Sequence, residues 1–199
     1  MAACCCIGWS IELEDRVVKH SSVAVSLALS ICFGCSTAMS QPPVPHVAAA
    51  ISPSPGIVVV GRLKPEDIAQ LKDAGIEQII DLTPDDETPD FDEANAVRSA
   101  GLDYSNLPVR DATDLTRENV IAFDRMMRDA KRPVLVHCAS GNRVGAMAAL
   151  RSAWVDGKSE EDAIALGKAW GLKGLEPQVR ERIRSLRGSG SEASLHSDH

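Results

Sequence analysis

"VLVHCASGNRVGA", residues 134–146, decides how this chain folds and where its chemistry lies. Val134, Leu135 and Val136 lead through His137 to Cys138; Gly141 follows in a short polar loop, and Arg143 opens a run of small and apolar residues. An apolar strand that passes through a glycine-containing loop into a helix is the joint of an α/β unit. At such a joint the free N–H groups of the coming helix and its dipole favour a bound anion and a charged thiolate. Gly141 permits the tight turn that aims those N–H groups inward. Arg143 adds a planar fork of donors suited to a tetrahedral oxyanion. His137 is expected to hydrogen-bond the loop backbone and hold the sulfur in place. The reading is an anion cradle around a nucleophilic cysteine, set against the plain alternative of a packed core cysteine.

Around this stretch, "IVVVGR" from Ile57, "IEQIIDL" from Ile76 and "LDYSNLPV" from Leu102 read as strands. Helical patterns separate them over residues 64–75, 91–101 and 117–130, the last capped by Thr116. "RPVLVHC" is the most apolar strand and belongs at the centre of the sheet. Helices follow it from Val144 to Val155, after the cap Ser159, and from Pro177. Strands alternating with helices predict an α/β fold, a central parallel or mixed sheet with helices on both faces. Ligands of such sheets bind at the carboxyl ends of the strands, where Cys138 lies. The acidic run Asp85–Glu87 reads as a solvated loop, and Trp154 and Trp170 as packing residues. His46, His196 and His199 suggest no metal site.

Composition narrows the function. The 199 residues carry a formal charge of −7 with no run of more than two basic residues, which disfavours a nucleic-acid partner. "SSVAVSLALSICFGC", after the basic "RVVKH", has the length and small-residue character of an export signal, and "TAMSQ" offers a cleavage site before Gln41. The acids Glu12, Glu14 and Asp15 point to a functional start near Val17, and acylation of Cys35 is the lesser, lipid-anchored alternative. The expected organisation is a signal over 1–40, a Pro-rich linker over 41–55, one domain over 56–187 and a disordered tail over 188–199. Five of the six cysteines precede Gln41, so a cleaved, periplasmic or secreted chain keeps only Cys138. That leaves no disulfide, CxxC pair or thiolate metal site, and an unpaired thiol in an oxidising compartment is a liability unless it is buried or used.

"HCASGNR" resembles the signature loop of cysteine-dependent phosphatases and, equally, the active loop of rhodanese-type sulfurtransferases. The wider pattern, from "VVVGRLKPEDIAQLKDAGIEQIIDL" through "YSNLPV" to "RPVLVHCASGNRVGAMAALRSAWV", resembles the bacterial beta-lactamase-hydrolase-like phosphatase domain family over residues 56–187. The resemblance implies a dual-specificity-phosphatase-like fold with Cys138 as nucleophile and Arg143 as the phosphate-binding cation. The cradle would be Ala139, Ser140, Gly141, Asn142 and Val144. It also implies a general acid after the preceding strand, with Asp111 first by position and Asp114 second, and Arg110 as a neighbour able to touch substrate. The implied substrate is a phosphorylated protein or small phosphate ester, handled without metal or cofactor. Two features depart from phosphatases. Four residues separate Cys138 from Arg143 where five are usual, and Val144 stands where a hydroxyl commonly helps expel the thiolate, leaving Ser140 as its substitute. The shorter loop matches rhodaneses, in which Cys138 would carry a persulfide; a non-catalytic anion-binding domain is the third reading.

Overall fold

The computed structural model describes Val47 and residues 50–193, with side chains to residue 186. The export signal read over residues 1–40 lies outside the described residues. Five short strands form one mixed sheet: β1 (Ile51–Ser54), β2 (Ile57–Val60), β3 (Gln78–Asp81), β4 (Asp103–Asn106) and β5 (Val134–His137). Their order is β1-β2-β5-β3-β4, with β1 antiparallel to β2 and every other pair parallel. The "VLVH" strand is therefore central, and all four of its residues are buried.

The alternation of side chains along each strand divides the core. Ile57, Val59, Ile80, Val134 and Val136 pack on the face covered by α3 (Arg117–Asp129), α4 (Asn142–Trp154), α5 (Glu160–Ala169) and α6 (Glu176–Ala193). Val58, Val60, Ile79 and Leu135 pack on the opposite face against Ile68 and Leu71 of α1 (Asp67–Asp73) and Val97 of α2 (Glu93–Ser99). Thr116 and Ser159 cap α3 and α5 by accepting from Asn119 N and Asp162 N, as their residue types predict. Among the described residues no helix is long and apolar enough to cross a membrane.

Three boundaries differ from the sequence reading. β1 lies inside the stretch assigned to the 41–55 linker; it is an edge strand, where Pro53 costs no ladder bond that a central strand would need. α4 starts at Asn142 rather than Val144, so Arg143 belongs to the first helical turn. α6 continues to Ala193, into the tail expected to be disordered from residue 188.

α4 is buried on nearly every side, which its small residues make possible. Gly145 is the closest approach. A Cβ there would overlap the Leu172 backbone and lie 2.7 Å from Gly167 O, while one on Gly167 would lie 2.8 Å from Gly145 O. The obstacles are backbone atoms, which yield only if α4 and the end of α5 separate. Gly145→Ala is therefore expected to cost about 3 kcal/mol, read as a lower urea midpoint; an unchanged midpoint would show that the two helices part freely.

Candidate active site at the β5–α4 joint

At the end of β5 the pleat sends two neighbouring side chains in opposite directions. Cys138, fully buried, joins the core on the α3–α6 face. His137 turns to the other face, where its Nε2 lies 2.8 Å from Glu93 Oε1 on α2 and 3.2 Å from Asp81 Oδ1 at the end of β3. Its Nδ1 has no hydrogen-bond partner. The expected bond from His137 to the loop backbone is thus absent, because a strand cannot present residues 137 and 138 on the same face.

The loop is tied down from both sides. Arg62 N donates to Ala139 O (3.2 Å), fixing the first loop peptide against the segment that follows β2. Gly141 takes φ = 80°, a left-handed conformation that a Cβ would strain, and its carbonyl accepts the first helical bond from Gly145 N (3.0 Å). Asn142 Oδ1 accepts from Lys173 N (2.7 Å), binding the start of α4 to the α5–α6 connection. Ser140 is exposed on the outer side, where it lines a cleft of about 310 Å³ with Gly141, Lys168 and Lys173. Val144 is fully buried, so the position after the arginine serves the core.

Arg143, only 8% exposed, is held by a partner that the sequence reading missed. Its Nη1 and Nη2 each donate to one oxygen of Glu87, both at 2.8 Å, and Nη1 also donates to Val109 O (2.7 Å). A guanidinium has five N–H donors. These three bonds occupy the end of the fork and leave Nε–H and one Nη2–H, the side-on edge that grips an oxyanion. The Glu87 carboxylate first, and the Cys138 sulfur after it, hold Arg143 in its charged form against the cost of burial. In return Arg143, with weaker help from Arg62 and Arg110, holds the Glu87 carboxyl below the usual glutamate range. Arg62 donates to Glu87 O (2.7 Å) and lies 3.6 Å from its carboxylate.

In the Asp85–Glu87 segment Asp85 and Asp86 are exposed, as a solvated loop would have them, and Glu87 is the exception, turned in to organise Arg143. Asp86 takes both ends of the exposed Arg110 (2.8 and 3.0 Å). A usable signal was its position: it follows β3 at the carboxyl edge of the sheet, where ligands of such folds bind. The loop after β4 approaches the same arginine through Val109 O. Asp111 there is exposed and accepts from Thr113 N and Thr113 Oγ1, both at 2.7 Å, which holds its carboxyl below the ordinary aspartate range. Asp114 accepts from Arg110 N (2.7 Å). Both candidate acids cap local structure, and Asp111 in this arrangement is ionised at neutral pH.

Comparison with known proteins places the chain in a family. The sequence profile described as beta-lactamase hydrolase-like protein, phosphatase-like domain, matches residues 51–155, just over half of the chain. A beta-lactamase hydrolase-like protein of Xylella fastidiosa is 34% identical over 143 residues, covering 67% of this chain and 32% of that protein. The chain thus spans about a third of the curated relatives it matches. Among solved structures, a candidate phosphatase from Neisseria meningitidis shares 28% identity with a TM-score of 0.56 over 67% of this chain and 94% of its own. Tk-PTP in its active form, 16% identical, shares the fold with a TM-score of 0.53 over 69% of this chain and 96% of its own. With an α/β fold of the cysteine-phosphatase kind and the cysteine–arginine loop at its centre, this chain belongs to the family of beta-lactamase hydrolase-like phosphatase domains.

Proposed function

We propose that this cysteine-phosphatase-like domain hydrolyses phosphate monoesters, of the protein tyrosine or dual-specificity type, through a phosphocysteine. The observation that carries the reading is the orientation of Arg143: Glu87 and Val109 consume the end of its fork and leave one edge for an anion beside Cys138. The Cys138 thiolate attacks phosphorus and the ester P–O bond breaks. Arg143 and the N–H groups of residues 139–144 bind the phosphoryl oxygens, and Asp111 gives its proton to the leaving oxygen. Water then attacks phosphorus, its proton passes to the Asp111 carboxylate, the P–S bond breaks, and phosphate leaves with the thiolate restored. Asp111 must first part from Thr113, because those two bonds favour its ionised form.

That requirement, together with the four-residue loop, is what favours the second reading. A sulfurtransferase carrying a persulfide on Cys138 needs the cradle and Arg143 but no acid at position 111.

Paired assays separate the two readings: hydrolysis of an aryl phosphate, and sulfur transfer from thiosulfate to cyanide. For phosphoryl transfer, Cys138→Ser abolishes aryl-phosphate turnover and Asp111→Asn lowers it by about 10²-fold. Turnover surviving in Cys138→Ser sinks the phosphocysteine mechanism. Sulfur transfer that is lost in Cys138→Ser and indifferent to Asp111→Asn establishes the alternative.

Glu87 acts by positioning Arg143. Glu87→Gln keeps the shape but halves the charge-assisted pairing, so kcat/KM should fall about tenfold with the fold retained; an unchanged value removes Glu87 from the mechanism. The sign of its pH dependence follows from the depressed carboxyl. The pairing contributes stability above the unfolded glutamate value of about 4.3 and loses it as pH falls through the lower folded value.

Export belongs to the same proposal, since cleavage before Gln41 would leave Cys138 as the only cysteine. Intact-mass spectrometry of the chain recovered from a periplasmic extract should give the mass of residues 41–199, with or without loss of ammonia from Gln41, and a mass that retains the residues before Gln41 would contradict it.

A further inference from the structure

Behind the cysteine, on the opposite face of the sheet, lies a second group of ionisable side chains that the thiol chemistry does not use. Asp81, Glu93 and His137 are 4%, 6% and 1% exposed. They converge because β3 and β5 are paired in register with Asp81 opposite His137, while Glu93 begins α2 above that face. The only ion-pair partner of either carboxylate among the described residues is His137. Thr83 N, Tyr104 O–H and Asn106 Nδ2 donate to Asp81, but among the described residues no lysine or arginine forms an ion pair with either carboxylate. One hydrogen on Nε2 also cannot give well-directed bonds to two oxygens.

The two nitrogen–oxygen separations also suit a shared cation. Ligand atoms on adjacent corners of an octahedron with metal–ligand bonds of about 2.1 Å lie about 3.0 Å apart. Nε2 lies 2.8 Å from Glu93 Oε1 and 3.2 Å from Asp81 Oδ1, and the three donor atoms all fall within 4.8 Å of one another. The outer partners that would orient the carboxylate are present. Tyr104 O–H donates to Asp81 Oδ2 (2.8 Å) and Thr83 N to Asp81 Oδ1 (2.6 Å). Thr83, itself 3% exposed, keeps an Oγ1 with no hydrogen-bond partner. A cleft of about 360 Å³ reaches Asp81 and Glu93 from solvent, and its rim carries Asp85 and Asp92, a path that draws in positive ions.

We propose that Asp81, Glu93 and His137 form a binding site for a divalent metal ion of octahedral preference, of which Mn²⁺ is the working representative. One imidazole nitrogen with two carboxylate oxygens selects first-row divalent ions that accept both nitrogen and oxygen. The proposal is independent of which reaction Cys138 performs.

The test uses the full chain, stripped with a chelator and titrated with Mn²⁺ while free ion is followed by electron paramagnetic resonance. One saturable ion per chain is expected, with ¹⁴N coupling from His137 in the pulsed spectrum. Glu93→Gln should weaken binding by at least about tenfold. No saturable binding below about 1 mM, a bound ion without ¹⁴N coupling, or an unchanged affinity in Glu93→Gln would each overturn the proposal. An ion held only by Asp85 and Asp92 gives the second of these results. If Glu93→Gln does not fold, Asp81→Asn and the ¹⁴N signal of the wild type decide.

Discussion

Arg143 can be buried where it is only because Glu87 meets it. An unpaired guanidinium taken out of water costs several kcal/mol, and a bidentate carboxylate is the partner whose geometry returns most of that cost. The pairing links the turn after β3 to the helix after β5, and Val109 O adds the loop after β4. Three separate loops at the carboxyl edge of the sheet therefore share one arginine. The shape of the anion cradle depends on all three as much as on the "HCASGNR" loop itself.

The pleat of β5 imposes the second constraint. Adjacent residues on a strand face opposite sides, so the sulfur and the imidazole that adjoin it in sequence serve different environments. Cys138 enters the layer of α3–α6, and His137 enters the layer of α1 and α2 with Asp81 and Glu93. The thin sheet separates a thiol facing an arginine from an imidazole facing two carboxylates, and β5 couples them through a single peptide unit.

The fold was largely legible in the sequence because it rests on periodicity. Strand patterns separated by helical ones correspond to β2 to β5, and the most apolar of them, β5, is central as expected. The edge strand β1 escaped because its prolines resemble a linker, and edge strands tolerate them. The candidate site could be proposed from the sequence where its residues are contiguous, from Cys138 to Arg143. Glu87 lies 56 positions from Arg143 and Glu93 lies 44 from His137, so only folding brings each pair together. His137 was misread for a local reason, since alternation on a strand forbids the contact that proximity in sequence invites. Asp111 was singled out by position alone, and its bonds to Thr113 are a matter of loop conformation that no residue pattern reveals.

The bond from Arg62 N to Ala139 O bears on how the cradle meets its ligand. A peptide group is planar and trans, so its C=O and N–H point in opposite directions. Holding the Ala139 oxygen toward Arg62 therefore turns the N–H of Ser140 away from it, with no freedom for that peptide to flip. With Gly141 fixed in its left-handed turn and Asn142 tied to Lys173, the dipoles of the loop are set before any anion arrives. An anion of the kind proposed would then bind with little reordering of the backbone, and what it gained from the loop and from Arg143 would be available to the proposed reaction.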